Sequence, residues 1–500
     1  MLINESYEFK PKFTRMIMVY FGYALLMGMG YLHSFFNFLF TLKWLSPKEN
    51  RAPLIKSFEH FYRRHLYRRT SDCFNRPICS APGTKITVMQ RASKDSGSTY
   101  TLTGKTNVAL NLGSYNYLGF AGKNSTNCTA ESINRLYDSG VSSCTFNMSS
   151  TISNINRELE TRVADFIGHE DAFVVAQGFA TNQAIIPALV GPGCLIMSDE
   201  LNHSSLVAGC KRSGAKVAKF KHNDVDDLRK NLDRYLLDGN NGELWKKILV
   251  LVEGIYSMEG EIAPIREILL LKYRYKFYLY IDEAHSIGAL GATGRGVCEY
   301  WGVDPREVDV LMGTFTKSFG SVGGYIAGSK SLIAHLKRYS EAALCTSLMS
   351  PACAQQAISV IDCLMGKHGS REGEYRLQRL SKNTRYFRRK LRTLGLEALG
   401  DLDSPVIPIL LYHPAKIPAF SRETLKRGLA VVVVGFPATQ ILLSRVRFCV
   451  SAAHTKEDLD RALKIIKEVS ELCAIKYLSK PYRLLAEHML REDTQIVEDW

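Results

Sequence analysis

Three short stretches place reactive side chains directly after apolar runs. The first is Gly313-Thr314-Phe315-Thr316-Lys317-Ser318-Phe319-Gly320, followed by Gly323-Gly324. A lysine among apolar and hydroxyl neighbours has its pKa lowered, which helps it add to a carbonyl. Thr314 and Thr316 can donate to a phosphate, and the glycines let the backbone approach a planar ligand closely. The second is Tyr278-Leu279-Tyr280-Ile281-Asp282-Glu283-Ala284-His285. A carboxylate where a buried strand opens into a loop can keep a ring nitrogen protonated, as a pyridoxal ring needs in order to act as an electron sink; an aspartate there equally serves as a helix N-cap. The third is Asp199-Glu200-Leu201-Asn202-His203, in which His203 either stacks on an aromatic ring or makes a structural hydrogen bond. Ahead of it, Gln177-Gly178-Phe179-Ala180-Thr181-Asn182 is a glycine turn opening a helix, whose N–H groups suit a phosphate. The wording D-E-A-H also occurs in helicases, but no G-x-x-x-x-G-K-[ST] precedes it, so a nucleic-acid partner is not expected.

The elements that must position these groups alternate. Strand-like runs at Ala172–Val175, Cys194–Met197, Val217–Phe220, Ile248–Val252, Phe277–Ile281, Val310–Thr314 and Tyr325–Ala327 are separated by turns and helical patterns. This predicts an α/β domain on a large, mostly parallel sheet, with functional groups at the carboxyl ends of strands. After about residue 350 the chain reads as helix, strongly basic over Asn383–Leu394. A smaller α+β unit follows, with strands near Val406–Leu411, Ala430–Val434 and Val446–Ser451. The predicted division is a tail at 1–15, a transmembrane or membrane-embedded helix at 16–42, and a basic linker and arm at 43–110. A large domain at 111–355, a small C-terminal domain at 356–475 and a tail at 476–500 complete it.

Residues 16–42 carry no formal charge and are rich in Phe, Leu and Tyr, long enough for the roughly 20 residues that cross a hydrocarbon core. An interfacial or buried helix has the same composition. The heavier basic load downstream, from Lys43, Lys48, Arg51 and Lys56 to Arg68 and Arg69, places the body in the cytosol. The 500-residue chain has a net charge of +15, suiting an anionic lipid, a phosphate-rich ligand or simply a basic surface. Its twelve cysteines form no C-x-x-C pair, which points to reduced thiols rather than a metal site.

The ordered set G-F-A-T-N, D-E-L-N-H, V-E-G-I-Y-S-M-E-G, I-D-E-A-H-S-I-G and G-T-F-T-K-S-F-G resembles the α-oxoamine synthase family of fold-type-I pyridoxal-phosphate enzymes over roughly residues 50–480. The stretches Gly113–Gly119, Gly288–Gly296, Val431–Thr439 and Arg445–Thr455 support it. The resemblance implies an aspartate-aminotransferase-like fold with pyridoxal 5'-phosphate as an imine on Lys317. Asp282 would pair with the pyridine nitrogen, His203 stack on the ring, His285 and Ser257 touch its hydroxyl, and Gly178, Phe179 and Thr314 seat the phosphate. Arg447 would hold the amino-acid carboxylate, with Tyr115 and Asn116 also facing substrate. The branch it resembles most condenses L-serine with palmitoyl-CoA to 3-ketosphinganine, opening sphingolipid synthesis at the endoplasmic reticulum membrane. That branch pairs with a lysine-lacking subunit of the same fold and with small regulatory membrane subunits. A glycine-using relative and a non-catalytic scaffold subunit are the alternatives. Two places depart from the family pattern: residues 142–156, which lack its arginine, glycine–asparagine pair and histidine, and Pro437-Ala438-Thr439-Gln440, which lacks a second proline.

Overall fold

The computed structural model describes residues 11–41, 61–63, 65–95, 97, 99–122, 126–142, 154–240 and 242–492. Most of the atypical 142–156 stretch, and the basic flank up to residue 60, lie outside the described residues.

Helix α1 (Phe13–Thr41) is followed by a hairpin, β1 (Lys85–Ala92) and β2 (Thr101–Asn111). The seven strands of the main sheet are β3 (Asp171–Val175), β4 (Leu195–Asp199), β5 (Lys216–Phe220), β6 (Ile248–Glu253), β7 (Tyr278–Asp282), β8 (Val310–Thr314) and β9 (Gly324–Gly328). Two helices bear on the site: α2 (Gly178–Leu189) leaves β3, and α3 (Ser204–Ser213) follows β4. The strand order is β3-β9-β8-β7-β6-β4-β5, with β9 alone antiparallel to its neighbours. The sheet is therefore mixed, one reversed strand in an otherwise parallel array. Its central strands are apolar and buried along their length, because helices cover both faces.

The chain then runs through a long helix, α4 (Glu372–Thr393), into a small antiparallel sheet ordered β10-β13-β12, where β10 is Val406–Leu410, β12 is Val432–Val434 and β13 is Arg445–Cys449. The run expected as one strand at Ala430–Val434 is two: β11 (Leu429–Ala430) adds to β2 in parallel, and β12 joins β13. One buried apolar segment thus ties the hairpin sheet to the small sheet. Period-two alternation sorts β13. Val446 and Phe448 enter a core with Phe387, Leu391, Ile407 and Ile466, while Arg445 and Arg447 point the other way, onto Met258 and Ser257 of the large domain.

The basic run of α4 is not a charged surface. Arg388 is fully buried and donates to the carbonyls of Leu399, Gly400, Ser404 and Val406; Arg389 and Arg392 are buried too. Part of the chain's positive excess is thus internal, used to satisfy loop carbonyls.

Helix α1 has two faces. Arg15 pairs with Glu397 at 3.3 Å and lies over the Tyr412 and Tyr477 rings. Val19 and Tyr23 share a small core with Leu66, Leu410 and Tyr412. Gly30 meets the next segment so closely that an added Cβ would stand 3.0 Å from His65 and Phe61, and Ser34 reaches His65 Nε2 at 2.8 Å. On the opposite side Ile17, Phe21, Leu25, Leu32 and Phe36 are exposed.

Candidate active site

The carboxyl ends of β6, β7 and β8 and the N-termini of α2 and α3 enclose a cavity of about 360 Å³. Its lining includes Tyr115, Gly178, Phe179, His203, Glu253, Ser257, Asp282, His285, Thr314 and Lys317. Sheet topology explains the convergence: adjacent parallel strands end together, so each final residue meets the same space.

Asp282 is the last residue of β7 and is buried. Its Oδ2 accepts from Asn182 Nδ2 at 2.8 Å and its Oδ1 from the Ala284 N–H at 2.9 Å. The second bond is the local turn contact that the N-cap reading anticipates; the first aims the carboxylate at α2 and the cavity. Asn182 is itself fixed by Ser205 Oγ and the Tyr280 hydroxyl. Lys317 follows β8, with Nζ 5.5 Å from the Tyr115 ring centre. Burial pulls its amine down to about 8 against the opposing charge of Asp282.

His203 is the N-cap of α3, its Nδ1 bonded to Ser205 Oγ at 2.8 Å and accepting the Ser205 N–H at 3.3 Å. An accepting Nδ1 leaves the proton on Nε2. Burial lowers the imidazole's pKa although Asp282 opposes it. His285 Nδ1 hydrogen-bonds with the Tyr117 hydroxyl at 2.7 Å, and burial lowers its pKa well below the usual imidazole range.

The structure brings Lys317, Asp282, His203, His285, Ser257, Thr314, Gly178, Phe179 and Tyr115 to one cavity. Arg447 reaches its edge: Nη1 bonds Ser257 O at 3.4 Å and the guanidinium sits 4.7 Å from the Tyr115 ring centre. Asn116 is not brought there. Its side chain is spent on the Pro82 carbonyl and the Ala121 N–H, bracing a loop beside a different cavity. Glu253, Asn182, Ser205 and Tyr117 were not singled out from sequence. Glu253 ends a strand as Asp282 does, which is the signal that could have found it.

A pyridoxal phosphate fits this donor set. An added Cβ at Gly178 would lie 2.7 Å from Thr314 Oγ1, so glycine keeps the helix N-terminus and the threonine hydroxyl open to a phosphate. Arg447 is buried at the cavity's edge beside Ser257 and Tyr115, a guanidinium placed where an amino-acid carboxylate would lie.

Comparison with known proteins settles the class. The family model "Aminotransferase class I and II" matches residues 107–466. The chain belongs to the class I and II aminotransferase family. Within this family it is 50% identical to long chain base biosynthesis protein 2a of Arabidopsis thaliana, covering 92% of this chain and 94% of the relative. It is 48% identical to serine palmitoyltransferase 2 of Dictyostelium discoideum, covering 93% and 96%. Among solved family structures, Sphingomonas wittichii serine palmitoyltransferase superposes with a TM-score of 0.73 at 26% identity, covering 85% of this chain and all of that one. A high-resolution serine palmitoyltransferase structure with pyridoxal phosphate gives 0.72 at 26% identity, covering 84% and 98%.

Proposed function

We propose that this chain is a pyridoxal-phosphate-dependent serine palmitoyltransferase, condensing L-serine with palmitoyl-CoA and releasing carbon dioxide, coenzyme A and 3-ketosphinganine. The observation that carries it is the convergence of Lys317, Asp282 and His203 on one cavity in a chain half identical to long-chain-base enzymes. Bound pyridoxal phosphate supplies an aldehyde for imine formation and a ring that accepts the electron pair released beside the amine.

The chain's own groups do the rest. Lys317 Nζ would hold the cofactor's aldehyde and, once the serine amine displaces it, would take the proton from serine Cα. Asp282 would keep the ring nitrogen protonated. His203 would pack on the ring face, His285 and Ser257 would hold the ring hydroxyl, and Gly178, Phe179 and Thr314 would seat the phosphate. Arg447 would hold the serine carboxylate until it leaves, and the Tyr115 ring lies within reach of both that guanidinium and Lys317. Fixing both substrates in line replaces a bimolecular encounter, the largest entropic part of such a barrier.

The assembly is proposed at the same scale. Phe179, half exposed at the cavity lip, suits cover by a lysine-lacking partner subunit. The outward apolar face of α1 suits the endoplasmic reticulum membrane with the body in the cytosol, and small regulatory membrane subunits would meet the enzyme there. Helix α1 packs on the body from Arg15 to Ser34, so we read it as lying along the membrane surface rather than crossing.

Labelled serine and palmitoyl-CoA supplied to the membrane-bound complex test the reading. Wild type forms labelled 3-ketosphinganine; Lys317→Ala loses at least about 10³-fold. Arg447→Ala raises the KM for serine about tenfold or more. Full turnover by Lys317→Ala, or faster turnover of glycine than of serine, would overturn it.

A further inference from the structure

The cavity holds a second buried carboxyl for which the reaction above has no use. Glu253 ends β6 and lies opposite Asp282 in the β6–β7 register, so two acidic side chains sit side by side at the sheet's carboxyl edge. It is 4% exposed. Two anions on neighbouring strands of a buried site are costly to hold together. Burial, with the Asp282 charge acting in the same direction, raises Glu253 well above the usual carboxylate range.

Its geometry is specific. Glu253 Oε1 accepts the main-chain N–H of His203 at 2.5 Å. His203 is the N-cap residue of α3, so its N–H lies outside the helical ladder and needs an outside acceptor. On the other side Nδ1 is held by Ser205 through both its hydroxyl and its N–H. The backbone is thus tethered to β6 and the ring to α3, and the two tethers together fix the imidazole. With only the Ser205 contacts, the ring would move with the loop between β4 and α3.

We propose that Glu253 is a positioning residue: its carboxyl oxygen anchors the His203 backbone and so sets the plane of the imidazole against the pyridoxal ring. This rests on the pyridoxal-phosphate reading. The acceptor is replaceable by a carboxamide, since the Gln oxygen accepts the same N–H. Glu253→Gln therefore keeps the anchor, and Glu253→Ala removes it.

The test uses the membrane-extracted complex stripped of cofactor and titrated with pyridoxal phosphate, read by fluorescence quenching for Kd and by induced circular dichroism of the cofactor band for ring environment. Wild-type binding with a visible imine band checks the cofactor reading independently. Glu253→Gln is expected within about threefold of wild type in Kd, with an unchanged induced band. Glu253→Ala is expected to bind at least tenfold more weakly, with a diminished band. In a His203→Ala background Glu253→Ala should add less than about threefold, because the anchor acts through that ring. If Glu253→Gln folds but binds as poorly as the alanine form, the carboxylate's charge is what matters and the proposal fails. Wild-type Kd and band in Glu253→Ala, or full additivity with His203→Ala, would overturn it too.

Discussion

Lys317 can act as a nucleophile only when its amine is neutral, and the cavity makes that form common near neutral pH. An amine at about 8 has a roughly 230-fold larger neutral fraction at pH 7 than a lysine at the ordinary 10.4. The rate at which cofactor-free protein captures pyridoxal phosphate should therefore rise with pH and level off above about 8; stopped-flow absorbance at the imine band measures this. A rate still climbing at pH 10 would mean the amine is solvated. At this scale the sequence was informative where a reactive residue followed an apolar strand, as with Lys317, Asp282 and His203. It misled at Asn116, which shares a motif with Tyr115 yet turns to the Pro82 carbonyl, because neighbours on a loop need not face the same way. Tyr117 and Ser205 are not legible as site residues because they act on another side chain, and pairings such as Tyr117 with His285 span 168 residues.

At the scale of elements, every strand expected in the large domain is present within a residue or two. Those strands are short, apolar and bounded by turns, so local pattern and tertiary burial agree. In sequence the β1–β2 hairpin reads as a basic arm because β2 is exposed over most of its length and gives no alternation there. The split between β11 and β12 was hidden because one apolar run serves two sheets. Helix α4 inverts the usual inference from charge. Its arginines were legible as a basic run, but not as interior, since the carbonyls that receive them come from the loop around Leu399–Val406. Arg388→Met leaves those carbonyls without their donor. It should cost about 3–5 kcal/mol, a drop on the order of 10 °C in Tm, with Arg388→Lys intermediate; differential scanning fluorimetry of the purified complex measures it. A Tm within 2 °C of wild type, on the order of 0.5–1 kcal/mol, would show that water or neighbours take over.

At the scale of the whole molecule, the apolar composition of residues 16–42 was plain, but composition cannot distinguish a helix that crosses a bilayer from one pressed against its own protein. Helix α1 shows both an exposed apolar face and a face packed on the protein, so the two arrangements are told apart by experiment. Tags placed before residue 10 and after residue 492 should both be open to protease on intact microsomes; a protected N-terminal tag would mean that the helix crosses. Phe21→Glu with Leu25→Glu on the outer face should shift most of the protein from floated vesicles to the soluble fraction, and unchanged flotation would assign binding elsewhere. The inner face has a different implication. Leu410 and Tyr412 belong to the catalytic body, yet they are covered by Val19 and Tyr23. Helix α1 is consequently no detachable tether. Clipping the chain ahead of residue 61 would strip the lid from an apolar seam and leave Glu397 without its arginine, so a trimmed enzyme would carry a sticky scar instead of becoming a freely soluble one.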